Sequence, residues 1–358
     1  MPRKPNHKCL IGIIMMILGL SCTAVSAPEG EKKSRPPFNV GFRVIDLQYQ
    51  QDGVEKTLTV AVWYPTATQP KTHDYGGSTR GMVAVDAPPL ADGGPYPLLV
   101  FSHGYGGSGL SSVFLTERLA ARGWIVAAPD HHDSHSAVRI RSGRVRDLDR
   151  QGLMHDTRQI TLSGPGDRGR YLYRLDELQL VIDRMVGSGS FGGLIDRGRI
   201  AVGGHSFGGF TALGLCGTVK ERLDPRIRAV LLFSTGAGGY LFSEEELARV
   251  KIPSMSFMGE REKGQRRGNR TMSQLAAKIY RNLPPPKYFL EIRGANHFSF
   301  NNALADSTAA RFLNGTPEQF EVIGRYSIAF LEKYVAGREE PGHPLEQEDP
   351  LLSGYLRE

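Results

Sequence analysis

The sequence predicts an α/β fold: a mostly parallel central sheet with an N-terminal antiparallel hairpin and helices on both faces. Three observations predict it. Short apolar runs, among them Pro97 to Ser102, Ala229 to Phe233 and Tyr288 to Ile292, read as strands buried on both faces. Segments with apolar residues at helical spacing lie between such runs, and strands alternating with helices call for parallel crossovers. The third is a tight strand–turn–helix signature, Gly204-His205-Ser206-Phe207-Gly208, between Arg199-Ile200-Ala201-Val202 and Phe210-Thr211-Ala212-Leu213.

In chain order, Val40 to Gln48 and Thr57 to Tyr64 read as two strands joined at the turn signal Asp52-Gly53. Residues 66–96, rich in proline, glycine and aspartate, read as a long surface loop. Pro97 to Ser102 is a strand, Ser112 to Arg122 a helix and Ile125 to Ala128 the next strand. Residues 130–170 are polar and basic and too long for a tight connection, so they read as a lid or binding loop. Tyr171 to Val186 sets Leu172, Leu175, Leu178, Val181, Ile182 and Met185 at helical spacing. Later strands are expected at Ala229 to Phe233, Ser254 to Met258 and Tyr288 to Ile292, with a closing helix from Pro317 to Val335. No internal repeat stands out. One domain over residues 28–337 is expected, followed by an irregular tail over 338–358.

The N-terminus separates from this pattern. Arg3, Lys4 and Lys8 precede the apolar run Leu10 to Leu20, and small residues follow through Ala27. That is the order of a secretory leader over residues 1–27, too short in its apolar core to span a membrane. A secreted or periplasmic protein is expected. The alternative is a lipid anchor on Cys22 in Leu20-Ser21-Cys22, although Gly19 stands where that motif prefers a branched apolar residue. With Cys9 and Cys22 in the leader region, Cys216 has no partner for an internal disulfide.

The leader holds three of the basic residues behind the formal charge of +7, which leaves about +4 for the rest. Arginines cluster at Arg139, Arg141, Arg144, Arg146 and Arg150, and again at Arg261, Arg266, Arg267 and Arg270, in expected loops without interleaved aromatics. This pattern argues against nucleic-acid binding and reads as a solvated face, with peripheral membrane contact as a weaker alternative. Nothing in the sequence speaks to oligomeric state.

Strand, Gly-x-Ser-x-Gly, then helix is the nucleophile elbow of the α/β-hydrolase fold, in which the chain order is serine, acid, histidine. Ser206 is the expected nucleophile. His297, in Gly294-Ala295-Asn296-His297-Phe298, follows the last core strand and is the expected base, whereas His343 lies in the tail. Glu262, in Gly259-Glu260-Arg261-Glu262 at a strand end, is the expected acid, with Glu260 behind it. The oxyanion hole is expected from the N–H groups of Phe207 and of Tyr105 in Ser102-His103-Gly104-Tyr105-Gly106-Gly107. His103 is expected to order that loop. The run Asp130-His131-His132-Asp133-Ser134-His135 carries metal-ligating side chains without a regular spacing, and a polar pocket wall is the expectation. No metal and no organic cofactor is called for.

Phe101-Ser102-His103-Gly104-Tyr105-Gly106, Gly123-Trp124-Ile125-Val126-Ala127-Ala128 and Gly204-His205-Ser206-Phe207-Gly208-Gly209 resemble the platelet-activating-factor acetylhydrolase and dienelactone-hydrolase-like branch of the α/β hydrolases. The resemblance runs from about Val40 to Val335. It implies carboxylic-ester hydrolysis and does not identify the ester; the expectation is a serine hydrolase acting through an acyl-enzyme, with short-acyl lipid or small esters as the first substrate class. A polyester hydrolase, amidase or peptidase with the same groups, or a binding protein without turnover, are the alternatives. Acetylhydrolases of this kind carry their acid after the strand that here ends at Ser234, where no carboxylate stands. Dienelactone hydrolases place it near Glu262 but use a cysteine nucleophile.

Overall fold

The structure, a computed structural model, describes residues 37–51, 53–187, 189–302, 314–338 and 344–358. The expected leader, Cys22 and His343 lie outside them. Strands β1 (Asn39–Gln51) and β2 (Val54–Thr66) pair antiparallel from Asn39↔Thr66 to Gln51↔Val54, as the hairpin signal predicts. Gly53 takes φ +76° in the turn, a conformation open to glycine.

The 66–96 segment is no simple loop. β3 (Lys71–Gly76) and β4 (Thr79–Val85) form a second hairpin, and β4 lies parallel to β1 through Gly41↔Ala84 and Phe42↔Val85. Tyr75 and Val83 point into the core, where Trp63 Nε1 donates to Tyr75 Oη at 2.9 Å. The pairing partner stabilises strands whose own composition signals turns.

β5 (Tyr96–Ser102), α1 (Val113–Ala121) and β6 (Ile125–Pro129) follow the expected order. The 130–170 stretch then folds into a two-residue ladder, β7 (Val138–Arg139) with β8 (Gly143–Arg144), and a surface helix, α2 (Arg150–Leu162). The Asp149 side chain caps α2 by accepting from Gly152 N, and Ile160 is its buried residue. A 3₁₀ turn over Pro165–Tyr171 leads into α3 (Tyr173–Val186).

The second half contains β9 (Ile195–His205), α4 (Phe207–Leu213), β10 (Ile227–Phe233), α5 (Ala237–Leu241), α6 (Glu244–Leu247) and β11 (Ser254–Gly259). After β12 (Arg266–Arg267) and β13 (Arg270–Thr271) come α7 (Met272–Asn282), β14 (Lys287–Ile292) and α8 (Pro317–Leu331). The tail corrects its expectation. Leu352–Arg357 is β15, antiparallel to β14, with Lys287 N donating to Glu358 O at 2.9 Å.

The sheet order is β15-β14-β11-β10-β9-β5-β6-β2-β1-β4-β3. The six strands from β14 to β6 are parallel, and antiparallel β15 and β2 flank them. Alternation along each strand assigns the faces. Leu99 and Phe101 join Trp63, Trp124, α1 and α8 on one side; Leu98 and Val100 join α3, α4 and Phe242 on the other. Each such fully buried apolar side chain contributes about 1.5–3 kcal/mol. Both faces being covered, polar groups converge where the parallel strands end: Ser102 closes β5, and Ser206, Ser234 and Glu262 follow the ends of β9, β10 and β11.

Candidate active site

Ser206 joins β9 to α4 with φ +53° and ψ −113°, a conformation rare for a residue with a side chain. Glycines on either side make the turn possible. A Cβ at Gly208 would overlap Ser102 O, and one at Gly204 would overlap the Gly208 carbonyl. Ser206 N donates to Phe233 O at 2.8 Å, which ties the turn to the neighbouring strand.

His297 Nε2 lies 2.9 Å from Ser206 Oγ, and its Nδ1 lies 3.1 Å from Glu262 Oε2. Glu262 is fully buried, and its Oε1 accepts from Gly259 N at 2.7 Å. A carboxylate only accepts, so the His297 ring carries its proton on Nδ1 and leaves Nε2 to accept from the serine. Of the two glutamates, Glu262 is the one against the imidazole. Glu260 instead accepts from Gly294 N at 2.8 Å and so anchors the start of the His297 loop.

Two residues at this site escaped the sequence reading. Ser234, at φ +47° after β10, is buried with Oγ 2.6 Å from Glu262 Oε2 and 2.6 Å from His297 Nδ1. The strand-end position beside Phe233 was its one legible signal. His205, also in the elbow, sits at 2.8 Å (Nε2) from His297 O and 3.3 Å (Nδ1) from Asn301 Nδ2. Burial, with His297 beside it, pushes its pKa down to about 3, so it is a neutral strut beneath the histidine loop.

The proposed oxyanion donors share one corner. The Tyr105 ring meets Phe207 edge-on at 5.9 Å. Phe207 opens α4, so no preceding turn takes up its N–H. Among the described residues, none accepts from Tyr105 N. Gly104 lies against the elbow, where a Cβ would stand 3.3 Å from Ser206 Cβ.

The Asp130–His135 run splits among separate partners. Asp130 accepts from Ser108 Oγ, Gly109 N and Ile140 N. His131 meets Ser102 Oγ at 2.8 Å and Glu177 Oε2 at 2.7 Å, and His132 meets Glu177 Oε1 at 2.7 Å. Burial opposes the Glu177 charge, but the hydrogen bonds from these histidines bring its pKa down to about 2. Asp133 pairs with Arg174, and His135 with Asp156. Among the described residues, no three such groups converge to hold a metal ion.

A cleft of about 450 Å³ opens beside the Tyr105 loop, lined by Tyr105, Ser134, Gln159, Ile160, Tyr171 and Tyr173 among others. Tyr105 Oη donates to Asp156 on α2 at 2.5 Å, so the 130–170 insertion forms a wall of this cleft. Cys216 is buried in the turn that follows the elbow helix, and burial pushes its thiol pKa up, away from reactivity.

Residues 36–149 match the family "Platelet-activating factor acetylhydrolase, isoform II". The chain is 25% identical over 277 residues to the platelet-activating factor acetylhydrolase of Cavia porcellus, covering 69% of this chain and 59% of that one. It is 26% identical over 305 residues to the Canis lupus familiaris protein of the same name, covering 74% and 62%. The chain thus spans about three fifths of the length of these relatives. Cutinase 2 of Thermobifida cellulosilytica is 24% identical over 247 residues, covering 67% and 69%. The solved ferulic acid esterase of Streptomyces cinnamoneus superposes with a TM-score of 0.66 at 22% identity, covering 89% of this chain and 95% of that one.

Proposed function

We propose that this α/β hydrolase, similar in sequence to platelet-activating factor acetylhydrolases, is an exported serine ester hydrolase for short-acyl lipid or small esters. The observation that carries the proposal is the continuous line of contacts from Ser206 through His297 to Glu262 beneath a strained elbow. Export rests on the leader pattern of residues 1–27 alone. Among the described residues, no helix is long and apolar enough to cross a membrane.

In this reading Ser206 gives its proton to His297 Nε2 while Oγ attacks the ester carbonyl carbon. The resulting oxyanion lies between the N–H groups of Tyr105 and Phe207, each lowering the barrier by about 3 kcal/mol. Glu262 holds the imidazolium, which protonates the leaving alcohol as the C–O bond breaks. Water then attacks the acyl-enzyme, giving a proton to His297. Collapse of the second tetrahedral species frees the acid and returns the proton to Ser206. Side chains, backbone donors and water account for every step.

The test is hydrolysis of p-nitrophenyl esters of increasing acyl length by the wild type and by Ser206→Ala. Turnover that falls by about a thousandfold or more in the variant supports the serine mechanism. A folded wild type that cleaves no ester sinks the reading and moves amide cleavage or a binding role to the front.

A further inference from the structure

We infer that the buried Arg174–Asp133 pair, working through His103, is a positioning device for the oxyanion hole. It holds the Gly104–Tyr105 peptide with its carbonyl turned inward, so that the Tyr105 N–H faces the reacting group. The inference rests on the serine-hydrolase reading and extends it to residues that touch no substrate.

The peptide unit is a rigid plate with C=O and N–H on opposite edges, so fixing one edge aims the other. Gly104 O faces three donors: His103 Nδ1 at 2.6 Å, Gly107 N at 2.9 Å and Arg174 Nη2 at 3.5 Å. The His103 tautomer is set by its other nitrogen, because Nε2 accepts from His131 N at 3.0 Å and leaves the hydrogen on Nδ1. Burial first, and Arg174 second, keep this imidazole neutral. Donors on a carbonyl also polarise the peptide and strengthen its N–H as a donor.

The same guanidinium fixes the rest of the loop. Arg174 Nη1 donates to His103 O at 2.9 Å. Its Nε and Nη2 meet Asp133 Oδ1 and Oδ2 at 2.8 and 2.7 Å, with both side chains wholly buried. Asp133 Oδ2 also accepts from Gly106 N at 2.9 Å, just beyond the oxyanion residue, and Tyr173 Oη donates to Oδ1 at 2.7 Å. The Arg174 guanidinium lies 4.9 Å over the Phe207 ring, the residue of the second donor. One side chain therefore braces both halves of the hole.

Stability alone gives little reason for this arrangement. A buried ion pair costs so much desolvation that apolar replacements of similar volume are often neutral or better. What apolar side chains could not supply is a set of directed bonds to three residues of one four-residue stretch, His103, Gly104 and Gly106.

The test compares the wild type with Arg174→Lys, which keeps a cation for Asp133 but loses the fork, and with Tyr173→Phe, which loosens Asp133 from outside the pair. Each is assayed for kcat and KM on a p-nitrophenyl ester and for inhibition by benzeneboronic acid, whose tetrahedral serine adduct places an oxygen in the hole. Arg174→Lys is expected to lower kcat by about tenfold to a hundredfold, with KM within about threefold and boronate affinity falling in step. Tyr173→Phe should move the same two quantities by about twofold to fivefold.

Wild-type kcat and boronate affinity in folded Arg174→Lys would overturn the inference. If that variant does not fold, Tyr173→Phe decides: lowered kcat with parallel boronate loss supports the device, and unchanged values overturn it. Failure of the underlying reading looks different, because the wild type would then hydrolyse no ester or Ser206→Ala would retain its rate.

Discussion

Ser234 Oγ stands 2.6 Å from His297 Nδ1, closer than the Glu262 carboxylate oxygen at 3.1 Å. Its hydroxyl hydrogen goes to Glu262 Oε2, since a carboxylate cannot donate, and its lone pairs face the imidazole proton. The proton on Nδ1 is thus shared between a charged and a neutral oxygen. Ser234→Ala removes the neutral partner and should lower kcat/KM by about tenfold, whereas Glu262→Gln should cost about a thousandfold or more by upsetting the tautomer. Steady-state kinetics on one ester checks the order. Equal losses in the two variants would contradict this division of labour.

The buried His205 predicts an acid-sensitive fold. Its folded pKa, down to about 3, lies below the ordinary value near 6.5, so the unfolded chain binds the extra proton. Stability is therefore whole above pH 6.5 and is lost as the pH falls toward 3. Between pH 7 and 5 this one group should cost about 2 kcal/mol. Urea midpoints at the two pH values should converge in His205→Asn, relative to the wild type. An unchanged gap would remove His205 from the account.

At the elbow, Gly208→Ala forces a methyl into Ser102 O, a backbone atom that cannot rotate away. The expected loss is about 3 kcal/mol or more, since overpacking against main chain must shift the elbow helix from the end of β5. Thermal unfolding by circular dichroism measures it. A variant that melts with the wild type would mean the turn relaxes freely.

The cleft beside Tyr105 predicts substrate length. Gln159 is an exposed wall residue on α2, so Gln159→Trp can fill space without disturbing the core. Octanoate turnover should fall by about tenfold while acetate turnover stays within about twofold, as expected when a pocket is shortened rather than the chemistry changed. Equal effects on both esters would place the acyl chain elsewhere.

What the sequence disclosed follows the range of each interaction. Ser206 was legible because the elbow is one local sequence motif, although only Gly204 answers to atoms a few residues away and Gly208 answers to Ser102 on another strand. His297 and Glu262, which the structure brings into line with Ser206, were singled out through chain order and strand ends. Arg174, Asp133 and Ser234 were not, since each acts across 27 to 71 residues of chain on partners only the tertiary fold brings near. The 71–85 hairpin and the strand Leu352–Arg357 stayed hidden for a related reason: their pairing partners supply the stability their composition lacks. The helix Met272–Asn282 is different. Its capping box, Thr271 with Gln274, was readable and went unused.

The positive φ at Ser206 sets function against folding at a single residue. Glycine would occupy φ +53° freely, whereas a residue with a Cβ gives up about 1–2 kcal/mol there. A library sorted for folding alone should accordingly drift toward glycine at position 206, each such clone hardier and without the proposed nucleophile. In the proposed mechanism the strain at position 206 is the cost of placing a hydroxyl where a glycine would fold more easily.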